Sequence, residues 1–190
     1  APIIEGRAGR QPVVVVSALG GATNALIALA EQAARGQLIG ALRAVQGLRE
    51  RHLRETSALL GEDDAAADIT AELSGMFDEL ASLAEALSVL GDLTPRSLDA
   101  VAAFGESLSS LVVTAAFKRA GLRAEHVDAR KVMLTDNQFT RAEPQPEAIA
   151  DAARAHLLPL LKDGRIPVLG GYIGSTIKGG ITTTLGGGGS

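Results

Sequence analysis

The chain has 190 residues, of which 46% are hydrophobic, and a formal net charge of −4. This length and apolar content suffice for one soluble domain with a hydrophobic core. The lack of cysteine excludes disulfides, thiolate catalysis and zinc–thiolate sites, and the acidic balance with only 3% aromatic residues argues against nucleic acid as a partner.

The first predicted element is a strand that leads through a glycine turn into a helix. Four valines at 13–16 form a β-branched run that is typical of a strand buried on both faces. Ser17, Gly20 and Gly21 lie in the turn, and the apolar pattern predicts a helix over about 24–34. Because backbone amides and the helix dipole are positive at such a helix start, this turn could bind an anion.

Two long helices are predicted between residues 37 and 91. In the second helix, apolar residues recur at alternating spacings of four and three, as in a heptad seam. This seam consists of Ile69, Leu73, Met76, Leu80, Leu83, Leu87 and Leu90. The acidic segment 61–64 separates the two helices, so we predict an antiparallel helical hairpin inserted beside the sheet. We interpret it as an ordinary packed pair, with a partner-binding coiled coil as the alternative.

The remaining elements complete an α/β pattern. Residues up to about 121 are predicted as one helix capped by Thr94. A short strand at 124–128, a helix at 147–161 and a strand at 166–169 follow. This order predicts a three-layer αβα sandwich with a largely parallel sheet and the inserted helical hairpin.

The last predicted strand leads into a segment dense in glycine and threonine, residues 170–190. Backbone amides and hydroxyls at this density favour oxyanions. If the first and last strands belong to one sheet, the glycine turns that follow them face one crevice. This crevice lies at the edge of the sheet where the parallel strands have their carboxyl ends. The alternative for each glycine pair is a simple tight turn.

Glu106 is the carboxylate that most clearly suggests a ligand. It follows Gly105 on a mostly apolar predicted helix, where a charge beside a core face needs a compensating partner. That partner is the amine of a ligand or, in the alternative reading, solvent or a nearby arginine. The histidines at 52, 126 and 156 share no metal-ligand spacing, so we predict no protein-bound metal.

Four blocks of the sequence resemble aspartate kinases of the amino acid kinase family, in particular the lysine-sensitive type. They are the strand and loop at 13–24, the GE-x-x-S motif at 104–109, the segment 127–144, and the glycine- and threonine-rich residues 171–186. The resemblance implies an amino acid kinase-like fold and the transfer of a phosphoryl group from ATP, with Mg²⁺, to the β-carboxylate of L-aspartate. This reaction lies on the route to lysine, threonine and methionine.

The resemblance also assigns residues to the site. It implies that Thr23, Glu106, Tyr172 and Ser190 bind aspartate, with Glu106 facing the ammonium group. The surrounding phosphate-side loops contribute Ser17, Gly20, Gly21, Gly171, Gly174, Thr183 and Gly186. Bringing two anions together requires positioning and positive electrostatics more than covalent chemistry by the protein.

Two departures from the family pattern affect the expected activity. Gly187 stands where the family has an arginine that holds the substrate carboxylate, and the sequence lacks the N-terminal Lys-Phe-Gly-Gly segment, the nucleotide-binding half and the regulatory ACT domains. We therefore expect residues 1–190 to be the amino-acid-binding half of a catalytic domain, with little or no turnover alone. The alternatives are a non-catalytic assembly or regulatory module that uses the hairpin, and another amino acid kinase.

The expected partners are L-aspartate and ATP, with a homo-oligomer in the parent protein and neither nucleic acid nor membrane. No apolar run approaches the ~20 residues that span a bilayer, and the first residues lack a signal-peptide core. We therefore predict a cytoplasmic location.

Overall fold

The computed structural model describes residues 4, 6, 8–61 and 63–186. Ser190, which is predicted to bind substrate, and Gly187 lie outside the described residues. The strands are β1 (Val14–Val16), β2 (Ala124–His126), β3 (Leu134–Thr135), β4 (Ile166–Gly170), β5 (Ile173–Thr176) and β6 (Thr182–Thr184). The main helices are α1 (Ala22–Ala34), α2 (Leu38–Leu60), α3 (Asp64–Leu90), α4 (Pro95–Ala102), α5 (Phe104–Arg119), α6 (Pro146–His156) and α7 (Leu158–Lys162).

The first sheet has the order β1-β4-β2, and all its strands are parallel. Helices cover both faces of β4. The Cα of Gly170 faces Glu106 of α5, whereas Leu169 packs with Leu157 and with Leu160 of α7. Since successive strand residues point to opposite faces, α5 and α7 lie on opposite sides of the sheet. The predicted α/β fold with a parallel sheet between helix layers is confirmed.

One prediction about this sheet is wrong. The sequence predicted that β1 is buried on both faces, but Val15 is 60% exposed. Within the described residues β1 lies at an edge and pairs only with β4. The helix α7 packs on the central strand β4 and leaves the face of β1 that carries Val15 uncovered. A β-branched run therefore identified the strand correctly but not its position in the sheet.

A second sheet, with the order β3-β5-β6, was not predicted. Strands β3 and β5 pair in parallel, and β5 pairs with β6 in antiparallel orientation. Much of the glycine- and threonine-rich segment is therefore strand rather than ligand loop. Its strands are short and contain glycine, serine and threonine instead of an alternating apolar pattern, which removes the usual sequence signal for a strand.

The predicted helical hairpin consists of α2 and α3. Its antiparallel direction follows from two contacts, the edge-on packing of His52 against Phe77 and the ion pair of Arg49 with Asp78. Asp63 caps the start of α3 by accepting a hydrogen bond from the backbone of Ala66. The hairpin packs against α1 and α5, and their side chains form the larger hydrophobic core.

Most of the seam on α3 faces this core. Leu73, Leu80 and Leu87 are buried together with Phe77, whereas Leu90 at the end of the helix is 74% exposed. The ordinary packed helix pair is therefore correct. The coiled-coil alternative is wrong for the three buried leucines, because their side chains already fill the interior of the protein.

Two predicted single helices are each divided into two. The helix predicted from Thr94 is interrupted at Ala103, which keeps helical dihedral angles (φ −61, ψ −22), so α4 and α5 follow each other with only a local break. The helix predicted at 147–161 is divided at Leu157. Pro159 explains the second break, because proline has no backbone N–H to bond to the carbonyl of residue 155 and its ring clashes with that carbonyl in a continuous helix.

Within the described residues, the stretch Pro95–Arg119 is long and apolar enough to cross a membrane by length and composition. This differs from the expectation that no apolar run approaches that length. However, 67% of its most apolar window is buried, and α5 packs between the first sheet and the helices α1–α3. Its apolar side chains thus have partners inside the protein.

Candidate functional site

The candidate site lies where β1 and β4 end. Two loops meet there because the parallel strands have their carboxyl ends at the same edge. The loop after β1 runs through Ser17, Gly20 and Gly21 into α1, and the loop after β4 contains Gly171 and Tyr172. The two loops are joined by a backbone hydrogen bond of 3.0 Å from the N–H of Gly171 to the carbonyl of Val16.

Glu106 lies in the first turn of α5 beneath these loops and is only 4% exposed. Its Oε1 accepts a hydrogen bond of 3.3 Å from the backbone N–H of Ala18, while its Oε2 is buried and has no hydrogen-bond partner among the described residues. Burial raises the pKa of Glu106, and the hydrogen bonds from the backbone of Ala18 and from its own backbone oppose this rise. The alternative in which Glu106 reaches solvent is therefore wrong.

Two other buried side-chain atoms in the described part of the chain lack a partner, Nε2 of His52 and Oγ1 of Thr56. They lie one turn apart on α2, and Nδ1 of His52 is 2.8 Å from the carbonyl of Leu48. Burial lowers the pKa of His52. These neutral groups belong to the interior of the hairpin, whereas Glu106 is a carboxylate at the edge of the sheet.

Two glycines allow the loops to approach Glu106 closely. A Cβ at Gly105 would lie 2.9 Å from the Cβ of Ala18 and 3.5 Å from the hydroxyl oxygen of Thr23. A Cβ at Gly170 would lie only 2.6 Å from the Cβ of Glu106. The absence of side chains at both positions therefore brings the first loop, Thr23 and the end of β4 against the buried carboxylate.

Further contacts fix the first loop. Ser109 donates a hydrogen bond of 2.8 Å to the carbonyl of Ser17, and Arg51 of α2 donates one of 2.8 Å to the carbonyl of Gly20. Gly21 has φ +79 at the start of α1, a left-handed conformation that favours glycine. The spacing of three residues between Glu106 and Ser109 signals a shared helix face, whereas no sequence signal identified Arg51.

The structure thus brings together Ser17, Gly20, Gly21, Thr23, Glu106, Gly171 and Tyr172. Sequence reasoning placed the glycine turn at 170–171 beside this crevice, but it did not identify the contact of Gly170 with Glu106 or the backbone N–H of Ala18. The glycine pair 170–171 at the end of the last predicted strand indicated a turn at this position. The Ala18 backbone could not be found in this way, because its role depends on which helix packs beneath the loop.

Three predicted site residues lie instead in or beside the second sheet. Thr183 is buried, and its hydroxyl oxygen is 2.8 Å from that of Thr135. Gly174 packs in β5 against Met133, and Gly186 lies beside Arg141. The hydroxyl of Thr183 therefore has an internal partner in the sheet, and its assignment to the phosphate-side loops stays a prediction.

Replacing Gly174 with alanine should lower the free energy of unfolding by ~2 kcal/mol. The new Cβ would overlap the carbonyl oxygen of Met133 and lie 3.1 Å from Cγ2 of Thr135, so the backbones of β3 and β5 would have to separate. Gly75→Ala is the matched control, since no atom lies within 4 Å of its Cβ position in α3.

The control should raise stability by ~0.5–1 kcal/mol, because alanine favours a helix more than glycine does. Urea denaturation of both variants measures this difference. Equal stability of the Gly174→Ala variant and the unchanged protein would contradict the close packing of β3 and β5.

A cavity also lies elsewhere. It has a volume of about 830 Å³ and is bounded by α3, α5 and β2, with Glu72, Lys118 and His126 among its lining residues. His126 is hydrogen-bonded through Nε2 to Ser110 at 3.1 Å, and burial lowers its pKa. Glu106 does not line this cavity, so cavity size does not identify the site defined by the loops.

Comparison with known proteins connects this site to a family. The sequence pattern of the amino acid kinase family matches residues 3–190. The chain is 35% identical over 178 residues to lysine-sensitive aspartokinase 3 of Escherichia coli K12, covering 94% of this chain and 37% of that protein. It is 29% identical to the chloroplastic aspartokinase 1 of Arabidopsis thaliana, covering 94% of this chain and 31% of that protein.

Two solved structures have a similar fold. They are E. coli aspartokinase III in complex with lysine and aspartate (T-state) and the same enzyme in complex with aspartate and ADP (R-state). Each has a TM-score of 0.78 and 35% sequence identity over 94% of this chain, which corresponds to 38% and 37% of the two solved chains. The chain therefore spans less than two-fifths of the length of these relatives.

Proposed function

The chain belongs to the amino acid kinase family, and from this we propose that it is the amino-acid-binding part of an aspartate kinase, which phosphorylates the β-carboxylate of L-aspartate. The similar proteins are named aspartokinases, and the two similar structures are complexes with aspartate. The observation that carries the proposal is the buried carboxylate of Glu106, whose Oε2 lacks a hydrogen-bond partner within the part of the chain that the structure describes.

An ammonium group is the natural complement of this carboxylate. A buried ionised group is unfavourable unless it is paired and hydrogen-bonded, and a primary ammonium supplies both opposite charge and N–H donors. Thr23 lies in the first turn of α1, close to the helix start. The positive end of the helix dipole and the hydroxyl of Thr23 would attract a carboxylate of the same ligand. This pairing of charges suits an amino acid, and the aspartate complexes of the E. coli relative favour an acidic one.

Mg²⁺ in phosphoryl transfer is usually held by one or two carboxylates together with the phosphates of the substrate, so the described residues need not hold it alone. No group of three His, Cys, Asp or Glu side chains among them could hold a metal ion. ATP and Mg²⁺ therefore remain a proposal for the reaction, supported by the ADP complex of the E. coli relative, and we assign no phosphoryl-transfer step to this chain. The cytoplasmic location and the homo-oligomer also stay predictions.

Binding of L-aspartate should release protons, and its affinity should rise with pH. Because the pKa of Glu106 is raised in the free protein, part of the carboxyl is protonated in mildly acidic solution. An ammonium partner favours the ionised form, so binding displaces that proton. Isothermal calorimetry in two buffers with different ionisation enthalpies measures the proton release.

Succinate is the control ligand because it has both carboxylates of aspartate but no ammonium group. We expect succinate to bind at least tenfold more weakly, since Glu106 would then stay buried without a partner. Equal affinity for succinate and L-aspartate at every pH would refute the proposed role of Glu106.

The assembly module is the weaker candidate. It requires the seam on α3 to be available to a partner, but Leu73, Leu80 and Leu87 are buried. The exposed Val89 and Leu90 at the end of α3 form a much smaller surface. The amino-acid site is therefore the function that the geometry supports best.

A further inference from the structure

We propose that Asp99 is a positioning residue, which holds β6 and, through it, the backbone of Tyr172 in place relative to Glu106. This inference rests on the proposed aspartate site. The starting observation is that Asp99, on α4, is 1% exposed. A buried carboxylate requires hydrogen-bond donors, and the donors here come from two segments distant in sequence.

The first donor is the backbone N–H of Thr140, which is 2.9 Å from Oδ2 of Asp99. Thr140 has φ +69, a left-handed conformation that β-branched residues rarely adopt. Such backbone strain persists where surrounding contacts enforce it. The carboxyl group of Asp99 on α4 hydrogen-bonds directly to the backbone of this strained residue.

The second donor is the hydroxyl of Thr184 on β6, which bonds to Oδ1 of Asp99. The two donor segments are also bonded to each other, because the N–H of Ala142 donates to the carbonyl of Thr184 at 3.0 Å. Asp99 therefore lies at a junction of α4, β6 and residues 140–142. Loss of one bond at this junction removes a constraint on the other two segments.

The junction connects directly to the candidate site. The N–H of Leu185, the residue after Thr184, donates to the carbonyl of Tyr172 at 3.0 Å. On the other side, Asp99 precedes Glu106 by about two helical turns along α4 and α5. One carboxylate thus links the segment that carries Glu106 to the loop that carries Tyr172, on the two sides of the proposed pocket.

Tyr172 provides a local reporter for this link. It is the single tyrosine of a chain without tryptophan, so tyrosine fluorescence reports the surroundings of this residue. Thr184→Val removes the hydroxyl that bonds to Asp99 at nearly constant volume, and Thr184→Ser keeps it. We expect the valine variant to increase acrylamide quenching of Tyr172 and to weaken L-aspartate binding about fivefold or more, and the serine variant to restore both.

Thr114→Val is the matched control. Thr114 is also buried, but its hydroxyl bonds to Ser110 within the same helix, so the change should alter stability without altering the quenching of Tyr172. Circular dichroism establishes that each variant is folded. If Thr184→Val unfolds the protein, Asp99→Asn, which keeps one acceptor oxygen, is measured in the same way.

The outcomes separate this inference from the proposed function. If the unchanged protein does not bind L-aspartate, the proposed function fails, while the quenching data still test the link from Asp99 to Tyr172. If quenching in the folded Thr184→Val variant equals that of the unchanged protein, or if Thr114→Val has the same effect, the positioning role of Asp99 is overturned.

Discussion

Replacing Glu106 with glutamine should weaken L-aspartate binding by at least about 30-fold, which corresponds to ~2 kcal/mol. Glutamine has nearly the same shape, so the contacts with Ala18 and Gly170 can persist. The variant loses the negative charge that pairs with the ligand ammonium, and its amide group would present a donor to another donor. Isothermal calorimetry at neutral pH measures the loss.

The same variant should not lose stability at neutral pH. The folded-state pKa of Glu106 is raised above its usual value because burial disfavours the charged form. Its stabilising contribution is therefore complete below the ordinary glutamate pKa of about 4.3 and is lost as the pH rises through the folded-state pKa. As the pH rises from the ordinary glutamate pKa to the folded-state pKa of Glu106, the unchanged protein should become less stable relative to the Glu106→Gln variant.

Glu85→Gln is the control for both measurements, because Glu85 is exposed on α3. It should leave aspartate affinity and the pH dependence of unfolding unchanged. Unaltered aspartate binding by a folded Glu106→Gln protein would remove the main support for the proposed function. An identical pH dependence of unfolding for Glu106→Gln and the unchanged protein would mean that Glu106 is not desolvated.

Leu80→Ala should lower the free energy of unfolding by ~3 kcal/mol. Leu80 belongs to the seam on α3, is completely buried and lies in the core formed with α1, α2 and α5. Truncation removes apolar contacts and leaves a cavity that close-packed helices fill only in part. Urea denaturation monitored by circular dichroism measures the change.

Leu90→Ala is the matched control, since Leu90 continues the same seam but is 74% exposed. It should change stability by no more than ~0.5 kcal/mol. The pair also tests the assembly alternative by sedimentation. If Leu80→Ala kept full stability but dissociated an oligomer, the seam would be a contact surface and the packed-core interpretation of α3 would be incorrect.

Local patterns predicted several elements of the fold. The valine run located β1, the apolar pattern located the end of α1, and the acidic segment at 61–64 located the boundary between the two hairpin helices. These signals succeed because helix ends and buried strands depend on residues close in sequence. The second sheet was missed because β5 and β6 are short, and their strand geometry depends on pairing with each other and with β3.

Part of the candidate site could also be predicted from residues that are close in sequence. Residue types near Glu106 suggested a ligand amine, and the turns after β1 and β4 were expected to face one crevice. The family resemblance placed Thr183 with them. In the structure its hydroxyl hydrogen-bonds with the hydroxyl of Thr135. Thr135 is 48 positions away, so sequence spacing could not reveal this contact.

The sequence by itself determined the parallel α/β pattern, the helical hairpin and the selection of Glu106 as a carboxylate beside an apolar helix face. Only the tertiary structure decided that Glu106 is buried with one oxygen to which no described residue hydrogen-bonds. It also decided that Val15 is exposed at a sheet edge and that Asp99 joins three segments. Burial and hydrogen-bond partners are set by which distant segments pack together, whereas periodicity reports only how each segment is folded.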